Sequence, residues 1–391
     1  MIDIIHLTVD AVLSQYLIYF LIFILSKSYG SELINLISCL SLINYGKFII
    51  QDVFYGYVSM YCNMYDEKNK IDICYSSHIL GLLTNIFLTL IICIFSKSIL
   101  LYLNLDPNIY NNAFRCIICL VYFQNIVQGI NIILQFDEKY TKSNKLSIIY
   151  SILSCSITAI LTFTTINNNL AYLSSIIVNA IIVVAIIIIN FKPFKFNFNF
   201  VKSFKFAFAN TMKNIMLVIT NAKGIGNISL NSIYLDTVSK MNLGTKLTWK
   251  LQNAVATKNK IEISKNEFNL KRVLKRNLIG SLIVILTTIP FIALINKSWQ
   301  FGGFLIFILS IELYDMSVSF FTSPIQEYIN MQGYNKTSTF LRLSMVIIRL
   351  AVVVFINNEY ALYIAVLISM TYHLIMSYTV YYFLFIHKKK I

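Results

Sequence analysis

The segment Leu170–Asn190 carries no charged residue, and its core reads Ile-Ile-Val-Val-Ala-Ile-Ile-Ile-Ile. A helix needs about 20 mostly apolar residues to cross the hydrocarbon of a bilayer. Twelve segments of the chain meet that need, at roughly 8–29, 33–63, 73–96, 109–136, 146–166, 169–191, 206–226, 228–255, 274–296, 301–331, 338–357 and 360–386. They are too long for barrel strands and lack alternation of period two. Over the 391 residues, 57% are apolar and 13% charged, too few charges to cover a water-soluble surface. Soluble multidomain proteins, disordered chains and disulfide-stapled secreted modules are excluded on the same ground. The gaps between segments are short and carry turn or charge signals, such as Asp66-Glu67-Lys68-Asn69-Lys70 and Leu105-Asp106-Pro107-Asn108.

The net charge of +15 would suggest nucleic acid on a soluble protein, but here position decides. With twelve crossings, 20 Lys and Arg fall on the side that holds both termini, and four (Lys27, Lys97, Lys223, Lys297) on the other. The positive-inside rule then places both termini in the cytoplasm. The basic stretch 258–276 reads as a solvated cytoplasmic turn near anionic headgroups, so no nucleic-acid partner is expected. Residues 1–7 lack Lys and Arg, which argues against a cleavable signal. All seven cysteines lie in the first half. Cys116-x-x-Cys119 fits small apolar helix residues better than a redox or metal pair. Gly224-Ile-Gly226 follows no strand and reads as a turn between the seventh and eighth helices rather than a phosphate loop.

Two local matches share one offset. Gln135–Lys139 matches Gln332–Lys336, and Lys68-Asn-Lys70 matches Lys265-Asn-Glu267, each 197 residues apart. Six helices per half keep the same orientation, so the expected architecture is an all-α polytopic membrane protein of two parallel-repeat six-helix bundles. Residues 1–190 form the N-lobe, 191–205 a cytoplasmic inter-lobe loop and 206–391 the C-lobe.

Four stretches resemble the multidrug and toxic compound extrusion (MATE) family, within the superfamily that also includes polysaccharide and lipid-linked oligosaccharide flippases. Leu103-Asn-Leu-Asp-Pro-Asn-Ile-Tyr-Asn-Asn-Ala113 resembles the turn into the fourth helix. Gln326 to Arg349, with Met331-Gln-Gly-Tyr-Asn-Lys-Thr337, resembles the turn between the tenth and eleventh. Ala254 to Ile283 resembles the connection from the eighth to the ninth, and Lys192 to Asn214 the inter-lobe loop. The resemblance implies two lobes around a cavity that alternates between faces, driven by Na+ or H+. Many family members carry an aspartate midway along the first helix. This chain has an apolar residue there, near Ile22, and Asp10 lies more than a turn too early. An acidic or amide position early in helix seven falls near Lys213.

Ionisable groups within the hydrocarbon are expensive and mark cavities or partners. Glu312 and Asp315 sit at i and i+3 on the tenth helix, with Ser319, Thr322 and Gln326 along the same stripe. Two adjoining carboxylates cannot both ionise cheaply in such a place, so the pair can hold a proton or Na+. They are the expected cation-coupling site, in line with an acidic tenth-helix position in some family members. Their alternative is solvation at the outer interface. Asp236 and Lys240 form an i, i+4 pair, either a neutralised pair or part of a binding surface. Lys213, Lys240, Lys246 and Arg349 are candidates for a positive C-lobe cavity, and Arg349 is alternatively a tie to Asp315 or Glu312. In the N-lobe, Asn44, Lys47, Gln51 and Tyr55 share a face, with Asp52 beside them, while helix four presents Arg115, Tyr122, Asn125 and Gln128. These face a cavity or bond to neighbouring helices. Asp10, Lys250, Glu327 and Arg342 sit near helix ends, where they can snorkel to water. Pro324 leaves a carbonyl unpaired on helix ten.

The four histidines are scattered, and no nucleophile elbow or metalloprotease pair occurs, so no catalysis, metal or cofactor is expected beyond the coupling ion. The reading is a monomeric secondary transporter of the cytoplasmic membrane that exports small, cationic organic molecules. Its rival is a flippase for anionic lipid-linked oligosaccharides, in which embedded Lys and Arg would hold a pyrophosphate.

Overall fold

The computed structural model describes residues 18, 21–23, 25, 34–56, 58, 67–136, 139–165, 168–264, 269–296 and 302–387. Among these the chain is helical, with no strand. Helix α1 (Leu36–Ile50) runs on through one π-helical turn, Gln51–Tyr55. Then follow α2 (Glu67–Ile94), α3 (Ser96–Tyr102), α4 (Pro107–Phe136), α5 (Tyr140–Thr164), α6 (Asn168–Asn190), α7 (Phe200–Ser229), α8 (Ser232–Ser264), α9 (Leu270–Asn296), α10 (Gly303–Met331), α11 (Asn335–Ile356) and α12 (Ala361–Tyr381). Eight of them, α2, α4, α5, α6, α9, α10, α11 and α12, are long and apolar enough to cross a membrane. The helices α7 and α8 are also long, at 30 and 33 residues, but are not among these eight. Most of the segment expected at 8–29 lies outside the described residues.

Several boundaries differ from the expectation. Gly224 and Gly226 are not a turn: both are helical within α7, which runs to Ser229, and Lys223 is helical with them. A Cβ at Gly224 would lie 2.8 Å from Leu362 Cβ, so this glycine serves close helix packing. The short α3, which contains Lys97, occupies what read as loop. Much of 258–276 is also helical, since α8 ends at Ser264 and α9 begins at Leu270.

The turn chemistry follows the residues. Asp106 accepts a hydrogen bond from the Asn108 amide at 2.8 Å and Pro107 occupies the first helical position, which starts α4. At the end of α10, Gly333 has φ +85°, and the Tyr334 amide reaches back to the Ile329 carbonyl and that of Gly333 to Asn330. This double bond is a Schellman closure, and the left-handed residue suits glycine.

The chain divides within α7: residues 12–215 form one unit, and 216–391 belong to the other. At the centre of the first lies α4, packed against α1, α2, α3, α5 and α6. In the second, α10 touches α8, α9, α11 and α12. The outer faces are apolar, with Ile189 of α6 76% exposed, Leu286 of α9 71% and Phe355 of α11 85%. That is the arrangement an apolar solvent favours. The connector Phe191–Asn199 is pinned along α2: the Lys195 amide donates to Asp72 Oδ1 and the Asn197 amide to Ser76 Oγ, both at 2.8 Å, while Phe194 stacks on Tyr75.

Pro324 removes the amide that would bond the Phe320 carbonyl, four residues earlier. The vacancy is filled from α9, where the fully buried Asn277 donates Nδ2 to that carbonyl. Asn277 accepts in turn from Asn259 of α8 at 3.1 Å, and Asn259 accepts from Arg276. Three helices are thus tied at the proline. Asn277→Ala should lower unfolding free energy by about 1–3 kcal/mol, the cost of one unpaired buried carbonyl. Adding Pro324→Ala should recover most of that loss, because residue 324 then supplies an amide. Thermal unfolding of the single and double variants in detergent checks this, and a purely additive double variant would contradict it.

Candidate functional site

In the first unit, the π turn at Gln51–Tyr55 carries three of the predicted polar groups. A π turn places its residues out of register with the regular helix and often marks a functional segment. Gln51 Nε2 donates to Asn125 Oδ1 at 2.9 Å and to Gln128 Oε1 at 3.0 Å. Asn125 donates to Asn85 Oδ1 at 2.7 Å, and Asn85 to the Gly81 carbonyl at 2.7 Å. Asn85 and Asn125 are fully buried. The sequence brought out Gln51, Asn125 and Gln128; it missed Asn85. The signal for it was present, since His78, Gly81 and Asn85 lie at i, i+3 and i+7 on one face of α2.

Below the amides, Tyr55 Oη lies 2.9 Å from His78 Nδ1, and both residues are buried. Two glycines make room for the phenol. A Cβ at Gly129 would fall 2.0 Å from Tyr55 Oη and 2.8 Å from His78 Nδ1, and one at Gly81 would fall 2.9 Å from Tyr55 Oη. Lys47, one turn before Gln51, is only 1% exposed. Ile22 is fully buried and helical.

Asp52 points elsewhere. Its Oδ2 accepts from Asn214 Nδ2 at 2.9 Å, and Ser203 Oγ donates to the next carbonyl, Val53 O. The first half of α7 is therefore docked on the π turn, and the amide that meets it is Asn214. Lys213, its neighbour, is partly buried. Arg115 does not join the amide cluster. Its Nε donates to Cys93 O at 3.2 Å and Ser96 Oγ at 3.1 Å, where α2 gives way to α3. A cation at the carbonyl end of a helix is favourable.

In the second unit, Glu312 and Asp315 are partly buried on α10. Ser319 Oγ lies 3.4 Å from Asp315 Oδ1, and Glu312 is near enough to the buried Tyr363 of α12 to act on it electrostatically. Further along, Gln326 Nε2 lies 2.6 Å from His373 Nε2, a residue sequence reasoning passed over. Lys240 Nζ is 2.6 Å from Asp236 Oδ2, both about one third exposed. Arg349 is 7% exposed and donates Nε to Ser369 Oγ of α12 at 3.0 Å, so its partner is that hydroxyl and not a carboxylate of α10. Arg342 pairs with Glu327 at 3.3 Å, tying α11 to α10. Asp10 and the side chains of Lys246 and Lys250 lie outside those described. Among the described residues, no group of three His, Cys, Asp or Glu could hold a metal ion, and Cys116 and Cys119 are free thiols.

Gly129→Ala should displace Tyr55 and lower stability by about 1–3 kcal/mol, the usual range for overpacking, although alanine is the better helix former. In a Tyr55→Ala background the loss should shrink. Melting temperatures of the four proteins read this directly, and an equal loss in both backgrounds would contradict the packing.

No protein-family model and no curated protein match the sequence. Solved structures do. The chain is similar to an inward-facing multidrug resistance MATE family transporter of the MOP superfamily, over 97% of this chain and 98% of that one, with TM-score 0.62 and 11% identity. It is similar to a MOP superfamily transporter from Pyrococcus furiosus, described as having a binding pocket of reverse polarity that suggests a different function, over 97% and 94%, with TM-score 0.65 and 13% identity. It is also similar to the lipid II flippase MurJ in an inward closed conformation, over 96% and 85%, with TM-score 0.50 and 15% identity. With its apolar helices, the chain is a multi-pass membrane protein that has the fold of MATE transporters of the MOP superfamily.

Proposed function

We propose that this protein is a secondary active transporter that exports small, cationic organic compounds by Na+ or H+ antiport through alternating access. The observation that carries the reading is the contrast within the second unit. Two partly buried carboxylates, Glu312 and Asp315, stand on the central helix α10, while Lys240 is neutralised by Asp236 and Arg349 is held between α11 and α12 by Ser369. Carboxylate oxygens suit a hard cation or a proton. A pyrophosphate clamp would instead need convergent Arg and Lys.

A repeat of the six-helix unit suits this reading. The helix starts Pro107 and Gly303, and Tyr140 and Asn335, are 196 and 195 residues apart, close to the offset of the local sequence matches. The two central helices, α4 and α10, are one such pair. We place both termini in the cytoplasm on the lysine distribution, in the cytoplasmic membrane, with a monomer as the working unit. The amide cluster around Gln51 would contact substrate by hydrogen bonds in the first unit. The second reading, a flippase for anionic lipid-linked oligosaccharides, draws on the buried Lys47 and on the likeness to MurJ.

Cells that express the chain should extrude a fluorescent organic cation in a gradient-dependent way. Asp315→Asn and Glu312→Gln should each reduce that efflux by about tenfold or more, equal to roughly 1.4 kcal/mol of lost coupling. Efflux that is unchanged in both variants, at equal surface expression, removes the carboxylates from the mechanism.

A further inference from the structure

The first unit contains a cavity of about 200 Å³ between the ends of α2, α4, α5 and α6, separate from the amide cluster. Lys139, Lys142 and Lys192 line it, and all three are exposed. Ile133 and Ile187 are among the aliphatic residues of its walls, and His78 lies deeper, 4% exposed. Among the described residues that line it, none is acidic. The cavity is smaller than the roughly 300–1,000 Å³ of a drug-sized pocket, and so suits a headgroup rather than a whole organic substrate.

The His78 ring supplies a second, independent pointer. Its Nδ1 is engaged by Tyr55, but the buried Nε2 has no hydrogen-bond partner among the described residues. A buried polar nitrogen without a partner is costly and is rare in a native structure. When the Tyr55 phenol donates to Nδ1, the ring proton resides on Nε2, and what is missing is an acceptor. The first amides of α5 lie beside the same lysines, and no side chain caps that helix at Lys139. Uncapped amides at a helix start favour an anion.

We propose that this cavity binds the phosphate headgroup of an anionic phospholipid, with the phosphate between the three lysines and an ester oxygen directed toward His78. Basic pockets between membrane helices take such headgroups. The lipid source follows from the wall: Ile187 and Ile189 continue onto the outer face of α6, where Ile188 is 69% and Ile189 76% exposed, and acyl chains can lie there. The inference rests on the chain being in a membrane, and not on which compound it transports.

Purified, delipidated protein would be titrated with phosphatidylglycerol, phosphatidylcholine or inorganic phosphate, with bound lipid counted by native mass spectrometry and melting temperature followed in parallel. Phosphatidylglycerol should bind and raise the melting temperature, whereas phosphatidylcholine and inorganic phosphate should do so at least about tenfold more weakly. The surface variant Lys142→Glu/Lys192→Glu should lose about tenfold in affinity while folding normally, and Ile133→Trp, which fills the cavity, should lose it as well. Equal binding of the two lipids, stabilisation by inorganic phosphate at the same concentration, or wild-type affinity in both variants would overturn the proposal. None of these readouts involves transport, so failure of the transport reading would leave them unchanged.

Discussion

Surrounded by hydrocarbon, a helix cannot turn an unpaired polar group to water, so each one must find a partner inside the protein. Most of what is specific in this structure follows from that constraint. The Phe320 carbonyl, freed by Pro324, is met by Asn277. Gln51 is met by Asn125 and Gln128, and Asn125 by Asn85. Apolar packing between helices has little driving force when lipid tails are equally apolar, and these polar ties set which helices touch and at what register. They also converge on α4 and α10, the helices with the most neighbours in their units.

The same constraint sorts the charges. Arg115 stabilises the carbonyl end of α2, Asp236 neutralises Lys240, and Glu327 neutralises Arg342. Glu312 and Asp315, partly buried on the central helix α10, carry the proposed coupling. In the first unit, neutral amides and hydroxyls make up most of the buried polar groups instead. A transporter that holds cations on carboxylates in one unit and hydrogen-bonds substrate through amides in the other would divide its labour along this line.

Much of the fold was legible because long apolar segments and charged gaps are a strong, local signal. The Asp106-Pro107 start of α4 and the Gly333 stop of α10 were marked by residues whose backbone preferences leave few options. The stripe of Gln51, Asn125 and Gln128 was legible because two helices each present amides at helical spacing. What the sequence hid depends on tertiary approach. Gly224 reads as a turn in isolation, yet it is a packing surface for Leu362. Arg349 invites a carboxylate partner by charge, but the hydroxyl of Ser369 is what it meets. Asn277 is an ordinary amide until a backbone carbonyl on another helix is known to need it. Asp72 looks like a loop charge, and only the path of the connector shows that it anchors Lys195.

The central claim is that an ion gradient drives an organic cation across the membrane through this chain. Purified protein reconstituted into liposomes, with a Na+ or H+ gradient imposed across them and a radiolabelled organic cation added, measures it most directly. The account predicts accumulation against the substrate's own gradient, which collapses when an ionophore dissipates the ion gradient. Accumulation that ignores the ionophore, or no movement of the cation while a lipid-linked oligosaccharide is translocated, would contradict it.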